Sequence, residues 1–148
     1  RRLVMRDAAP DALALGAPTG ISGDWTLAGG FRTLQSPVGE LDWWGSWSGS
    51  DANQGELVWS GVDVQAGAVL QFQLSTGPSA GGMNVLLRSE TGEILDQVGI
   101  SVAQNNWLPV EWRVETDVEN ADIVFSDAGS EWGQWMAVSD IRLQVAPQ

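Results

Sequence analysis

From Trp25 onward, short runs of apolar and polar side chains alternate at a period of two, and a chain written that way has little but β-strands to build from. Leu70, Phe72 and Leu74 point one way while Gln71 and Gln73 point the other. Val110, Trp112 and Val114 alternate with Glu111, Arg113 and Glu115, and Ile123 and Phe125 with Asp122 and Ser126. Successive side chains of a strand face opposite sides, so each run has one face for a core and one for water. No segment carries a helical stripe of about ten residues. The runs recur at a spacing of roughly 8–15 residues between Gly, Asn, Ser and Asp, the rhythm of an antiparallel sandwich or barrel.

The alternation predicts strands over residues 42–48, 56–64, 69–75, 83–90, 93–99, 107–114, 122–127 and 134–145. Two of them change phase. Leu57 and Trp59 share a face and then Val62 and Val64 do, which calls for a bulge at Ser60-Gly61. Met136 and Val138 share a face and then Ile141, Leu143 and Val145 do, which calls for another at Ser139-Asp140. If neighbouring strands run antiparallel, the connections alternate between two ends. One end receives 65–67, the Thr91-Gly92 turn and 115–121. The other receives the longer, amide-rich connections 49–55, 77–82, 100–106 and 128–133. Binding residues favour loops held on a rigid scaffold, so the second end is the place to look for a site.

The 148 residues suit one domain. Residues 1–20 hold three of the seven cations, Arg1, Arg2 and Arg6, followed by an Ala/Pro/Gly/Leu stretch. They read as a connector from a preceding domain or membrane helix, the alternative being a first strand at Leu3-Val4-Met5 and then a loop. Residues 21–148 are expected to form a single sandwich, cut from a longer protein.

What the chain lacks limits its chemistry. There is no Cys, His, Tyr or Lys, and 19 acidic against 7 basic residues give a net charge of −12. Ordinary zinc, haem and iron–sulfur sites, Schiff bases and Ser-His-Asp or Cys-His nucleophiles are therefore excluded. Such an acidic surface repels phosphate backbones and anionic lipid, which argues against nucleic acid and membrane-surface partners. No run approaches the ~20 apolar residues needed to span a bilayer. Without cysteine, redox chemistry says nothing about the compartment. The one enzyme class the composition permits is a carboxylate-pair glycosidase, which needs two carboxyls roughly 5 to 9.5 Å apart. Asp51, Asp127 and Glu131 offer carboxyls, but their spacing selects no pair.

Nine Trp beside three Phe is an unusual aromatic inventory. Trp59 and Trp112 fall on the apolar faces of central strands and belong to the core. Trp25, Trp43 and Trp44 fit either role, and Trp43 and Trp47 share one face while Trp44 takes the other. Trp47, Trp107, Trp132 and Trp135 lie at or near the loop-rich end. A flat indole stacks on the C–H face of a sugar ring, and neighbouring amides and carboxylates bind its hydroxyls. The polar groups placed to do so are Asp51, Asn53, Gln54, Asn105, Asn106, Asp127, Glu131 and Gln134. Any one of these indoles could equally cap a core, and any of the polar groups sits naturally in a solvated turn.

The last third of the chain resembles a known pattern. Trp107-Leu108-Pro109-Val110-Glu111-Trp112, then Ala121 to Asp127, then Trp132-Gly133-Gln134-Trp135 leading into Met136 to Leu143, is similar to the closing strands of jelly-roll, galactose-binding-like carbohydrate-binding modules. The order of elements from Asp42 to Leu143 is similar too. More loosely, the layout is similar to the carbohydrate-binding region that ends some bacterial membrane arabinosyltransferases. The resemblance implies a structural calcium held partly by a last-strand Asp, here Asp140. Because the terminal strands of a jelly roll commonly lie side by side, Asp24 or Asp42 near the chain start could add oxygen ligands, the alternative being an Asp140 carboxylate that satisfies the amides of its bulge. The residue before Asp140, often Asp in the pattern, is Ser139 here.

The expectation is thus an all-β antiparallel sandwich of jelly-roll type. Its expected role is that of a non-catalytic glycan-binding domain, attached to a larger cell-envelope or secreted glycan-processing protein outside the cytoplasm. The alternative is a structural or protein-interaction sandwich that packs on its parent, with a glycosidase a distant third.

Overall fold

A computed structural model of the chain describes residues 3–5, 12–27, 42–47, 54–79, 81–101, 103 and 107–145. Twelve strands follow one another: β1 (Val4–Met5), β2 (Leu13–Ala14), β3 (Gly20–Gly23), β4 (Thr26–Leu27), β5 (Trp43–Gly45), β6 (Gly55–Val64), β7 (Val69–Thr76), β8 (Met83–Arg88), β9 (Ile94–Gly99), β10 (Leu108–Arg113), β11 (Val118–Asp127) and β12 (Met136–Gln144). There is no helix among the described residues, and none therefore long and apolar enough to cross a membrane.

The strands form two antiparallel sheets. One runs β1-β10-β7-β12-β5-β4, with β2 also paired to β12; the other runs β3-β6-β11-β8-β9. The apolar faces read from the sequence meet between them. Leu70, Phe72, Leu74, Val110, Trp112, Met136 and Val138 come from the seven-stranded sheet. Leu57, Trp59, Val85, Leu87, Ile123 and Phe125 come from the five-stranded one. Phe125 sits at the centre, edge-on to Phe72 at 5.0 Å across the sandwich and to Trp59 at 5.8 Å. The indole N–H of Trp59 donates to the Gly16 carbonyl at 3.1 Å, so the ring is buried with its one polar atom satisfied.

Both bulges lie where the change of phase demands them. The β6–β11 register shifts between Trp59 and Val62, and Gly61 takes a φ of 74°. In β12 the register against β7 shifts between Ser139 and Arg142, with Asp140 at a φ of 50°. This second bulge also divides the edge of β12: β5 pairs before it, at Ala137 to Ser139, and β2 after it, at Arg142 and Leu143.

The described parts of residues 1–20 are built into the sandwich. β1 pairs with β10, β2 with β12, Leu3 and Ala12 are buried, and the Thr19 N–H donates to the Val58 carbonyl at 2.8 Å. The first of these strands, Val4–Met5, falls within the Leu3-Val4-Met5 segment that the alternative reading of the leader took as a strand.

The two ends sort as strand parity requires. The Gln54 side chain donates to the Ala128 carbonyl at 2.9 Å, and the Ala128 N–H to Gly82 at 2.9 Å. The Ala103 N–H donates to the Thr76 hydroxyl at 2.8 Å, and the Ser79 N–H to Gly133 at 3.2 Å. Four connections are thereby stitched together at one end. At the other, the Gly67 N–H donates to Val114 at 2.7 Å, the Ala66 N–H to the Asp117 carboxylate at 2.7 Å, and the Asn120 amide to the Glu90 carboxylate at 2.5 Å.

Replacing Trp59 with Ala removes a large buried side chain and its edge contact with Phe125, a loss of about 3–5 kcal/mol in urea unfolding. A loss below about 1 kcal/mol would contradict this packing.

Candidate functional site

The loop-rich end is organised around a buried carboxyl group. Ser46 follows β5 in one sheet, and Asp127 ends β11 in the other. The Ser46 hydroxyl donates to Asp127 Oδ2 at 2.6 Å and accepts from the Met136 N–H at 3.0 Å. Asp127 Oδ1 accepts from the Gly129 N–H at 2.9 Å. Ser46 and Asp127 are 0% and 2% exposed. Asp127, expected among the ligand-binding groups, is thus an interior strut: both oxygens are engaged, and it joins the sheets while setting the start of the 128–135 loop.

That loop presents Trp132. The Glu131 N–H donates to the Gln134 side-chain oxygen at 3.0 Å, and the Gln134 N–H returns to the Glu131 carbonyl at 3.1 Å. Gly133, between them, has a φ of 80°, and a Cβ there would meet Pro78 at 2.7 Å. Gly77 is equally constrained, since a Cβ on it would lie 2.1 Å from the Gly133 carbonyl oxygen. A pinned turn therefore holds a Trp132 that is 80% exposed. Glu131 is exposed beside it, and Gln134 is half-buried by its role in the turn.

The other indoles expected at this end are placed differently. Trp135 is 6% exposed and packs with Trp43 and Ala137, against which Trp47 and Trp107 lie half-buried. Trp43 and Trp107 meet edge to face at 5.9 Å. Register explains the grouping. Gly45 pairs with Ala137 and Trp43 with Ser139, so these positions share the outer face of the seven-stranded sheet, and Trp47 and Trp135 continue its parity. Trp44 takes the opposite face and packs on the core, as the sequence order of these indoles requires. Trp135 is therefore wall rather than platform.

The same outer face carries polar groups that reasoning from alternation assigned only to water. Ser75 and Gln73 pair with Ala137 and Ser139, Gln73 pairs with Pro109, and Gln71 with Glu111. Gln71 is only 2% exposed, and its amide donates to Glu111 at 3.4 Å. A run of Gln-x-Gln-x-Ser opposite a Trp-flanked strand was the one available signal for this surface.

The three carboxylates assigned to calcium do not converge. Asp42 and Asp140 line one cavity of about 230 Å³ with Ala14, Gly16, Ala17, Trp44 and Ile141. Asp140 there accepts from Arg142 Nε at 2.8 Å, so a guanidinium occupies the carboxylate. Asp24 lies at the loop-rich end, accepting from the Gln54 N–H at 3.1 Å. No group of three acidic, His or Cys side chains fit to hold a metal occurs among the described residues. The described donor set does not fit the calcium implied by resemblance. Asp51, Asn53, Asn105 and Asn106 lie outside the described residues.

No protein-family model and no curated protein matches the chain. Solved structures do. A carbohydrate-binding module, CBM6cm-2, of Cellvibrio mixtus lichenase 5A, in complex with cellotriose, superposes with a TM-score of 0.59 at 9% identity, covering 95% of this chain and 100% of that one. The C-terminal CBM6 of LamC, a marine laminarinase from Zobellia galactanivorans, gives 0.57 at 14% identity over 89% and 96%. The C-terminal extracellular domain of Mycobacterium tuberculosis EmbC gives 0.53 at 13% identity, over 99% of this chain and 65% of that one. The fold is the jelly roll of carbohydrate-binding modules. Among the described residues, the loop-rich end with Trp132 and the aromatic outer face of the seven-stranded sheet both combine indoles with polar groups.

Changing Ser46 to Ala leaves Asp127 Oδ2 and the Met136 N–H without their shared partner. The expected loss is about 1–3 kcal/mol of unfolding free energy in chemical denaturation. Unchanged stability would show that the strut is dispensable.

Proposed function

We propose that this chain is a non-catalytic carbohydrate-binding domain that works outside the cytoplasm as part of a larger glycan-processing protein, with the Trp132 loop as its contact surface. The observation that carries the reading is an indole 80% exposed on a turn pinned by Gln134, Gly133 and Gly77. A rigid, solvent-facing ring loses little conformational freedom when a sugar stacks on it, and preorganisation of that kind raises affinity. Gln54 and Glu131 lie exposed at the same end and offer hydrogen-bonding groups to sugar hydroxyls. The engagement of both Asp127 oxygens supports a binding rather than a hydrolytic role, because it withdraws a carboxyl from the pair a glycosidase needs. The likeness to an extracellular domain supports the location. The alternative of a sandwich packed on its parent draws on Leu13 and Val145, 68% and 70% exposed near the opposite end.

The test is a glycan array followed by intrinsic Trp fluorescence with the best-binding sugar. Trp132→Ala should move the melting temperature by no more than about 2 °C, as for other exposed positions, and abolish both binding and quenching. A chain silent on every glycan, or a Trp132→Ala variant that binds like the parent, would overturn the assignment.

A further inference from the structure

We infer that the loop-rich end selects by charge, taking uncharged glycans and turning away those that carry carboxylate or sulfate. The inference rests on the carbohydrate reading of that end and narrows its substrate class. With no Lys and no His, Arg is the sole cationic side chain in the sequence. Arg1, Arg2, Arg6 and Arg32 lie outside the described residues, and the three described arginines are all placed away from Trp132. Arg88 donates to both Glu56 oxygens at 3.1 Å and lies 3.7 Å from Asp122, on the five-stranded sheet. Arg142 is held by Asp140 on the far side of the β12 bulge. Arg113 ends β10 beside Ala66, Gly67 and Glu115, at the opposite end from Trp132.

Around Trp132, by contrast, the described ionisable groups are acidic: exposed Glu131 next to it, Asp24 against Gln54, and Asp127 beneath the loop. A uronate carboxylate or sulfate ester stacked on that indole would meet no described counter-charge. It would also face a molecule with a net charge of −12. Recognition of such anions rests on forked guanidinium or ammonium donors. Neutral hydroxyls need only amides, carboxylates and backbone groups, which this end has. Charged neighbours of like sign suppress wrong partners as well as slowing their approach.

Affinity electrophoresis or calorimetry with matched polymers tests this. The pairs are hydroxyethyl and carboxymethyl cellulose, arabinoxylan and glucuronoxylan, β-1,4-galactan and polygalacturonate, and agarose and carrageenan. For any pair whose neutral member retains the protein, the anionic member should bind at least about tenfold more weakly at about 10 mM salt. The gap should shrink towards 1 M, where the screening length falls to about 3 Å. Glu131→Arg should narrow the low-salt gap, and Trp132→Ala should abolish retention by the neutral member. An anionic polymer held as tightly as its neutral partner overturns the charge selection and leaves the carbohydrate reading standing. Silence on these polymers and on the glycan array overturns both, and a neutral glycan of the array outside these pairs is compared with its own sulfated derivative on the same criterion.

Discussion

One buried hydrogen-bond junction holds the loop-rich end of this sandwich in shape. Asp127 lies at the last position of its strand, where a carboxyl group would ordinarily point to water, yet it is enclosed between the sheets. Burying a carboxyl is costly unless its oxygens are satisfied, and here the partners come from both sides of the fold. Ser46, 81 residues away in sequence, supplies the short bond to one oxygen, and the Gly129 amide supplies the other. The same Ser46 hydroxyl accepts from the first residue of β12. β5, β11, β12 and the 128–135 loop are therefore tied at one point, and the loop that lifts Trp132 into solvent starts from it.

The second determinant is the asymmetry of the seven-stranded sheet. Its inner face is the ordinary aliphatic and aromatic core. Its outer face is not the wet surface that alternation implies, because Trp43, Trp47, Trp107 and Trp135 gather there over Ala137. That is why β12 has four successive buried residues from Met136 to Ser139, where a strand with one wet face would have two. The bulge after Ser139 then restores the inward phase for Ile141 and Leu143 and hands the β12 edge from β5 to β2. Large indoles on one side of a strand and a phase correction on the next turn together give the sheet both a core and an aromatic outer surface.

Much of this was readable from residues alone. Period-two alternation located the long strands to within a few residues, because a strand with one buried face must repeat at that interval. The phase errors at Ser60-Gly61 and Ser139-Asp140 located both bulges, since one extra residue is the only local way to bring apolar side chains back inward. Trp59 and Trp112 were legible as core for the same reason, and Trp132 falls in a loop of Gly, Ser and Glu where no alternation demands an apolar residue. The short strands β2, β3 and β4 were not legible: apart from the half-buried Gly20, their residues are exposed, and hydrogen bonding to a neighbour leaves no mark in hydrophobic pattern. The burial of Asp127 was hidden because its cause is a serine far away in sequence. Which of the two roles left open for Trp135 it takes was not legible, because a Trp beside a glycine loop looks the same whether it opens to solvent or closes on other indoles. Asp24 and Asp140 were set together on the general habit of terminal strands lying side by side; their actual partners, Gln54 and Arg142, follow from registers that composition does not encode.

The central claim is that a rigid loop at one end of the jelly roll offers Trp132 to a neutral sugar while the remaining indoles serve the fold. Indole N–H resonances, one for each of the nine tryptophans, report this directly in a titration of the isotope-labelled protein with a neutral oligosaccharide taken from the glycan array. The account predicts that the Trp132 signal moves most and saturates with the ligand, while the signals of buried Trp59 and Trp112 stay in place. A titration that shifts other indoles and leaves Trp132 unmoved would contradict it.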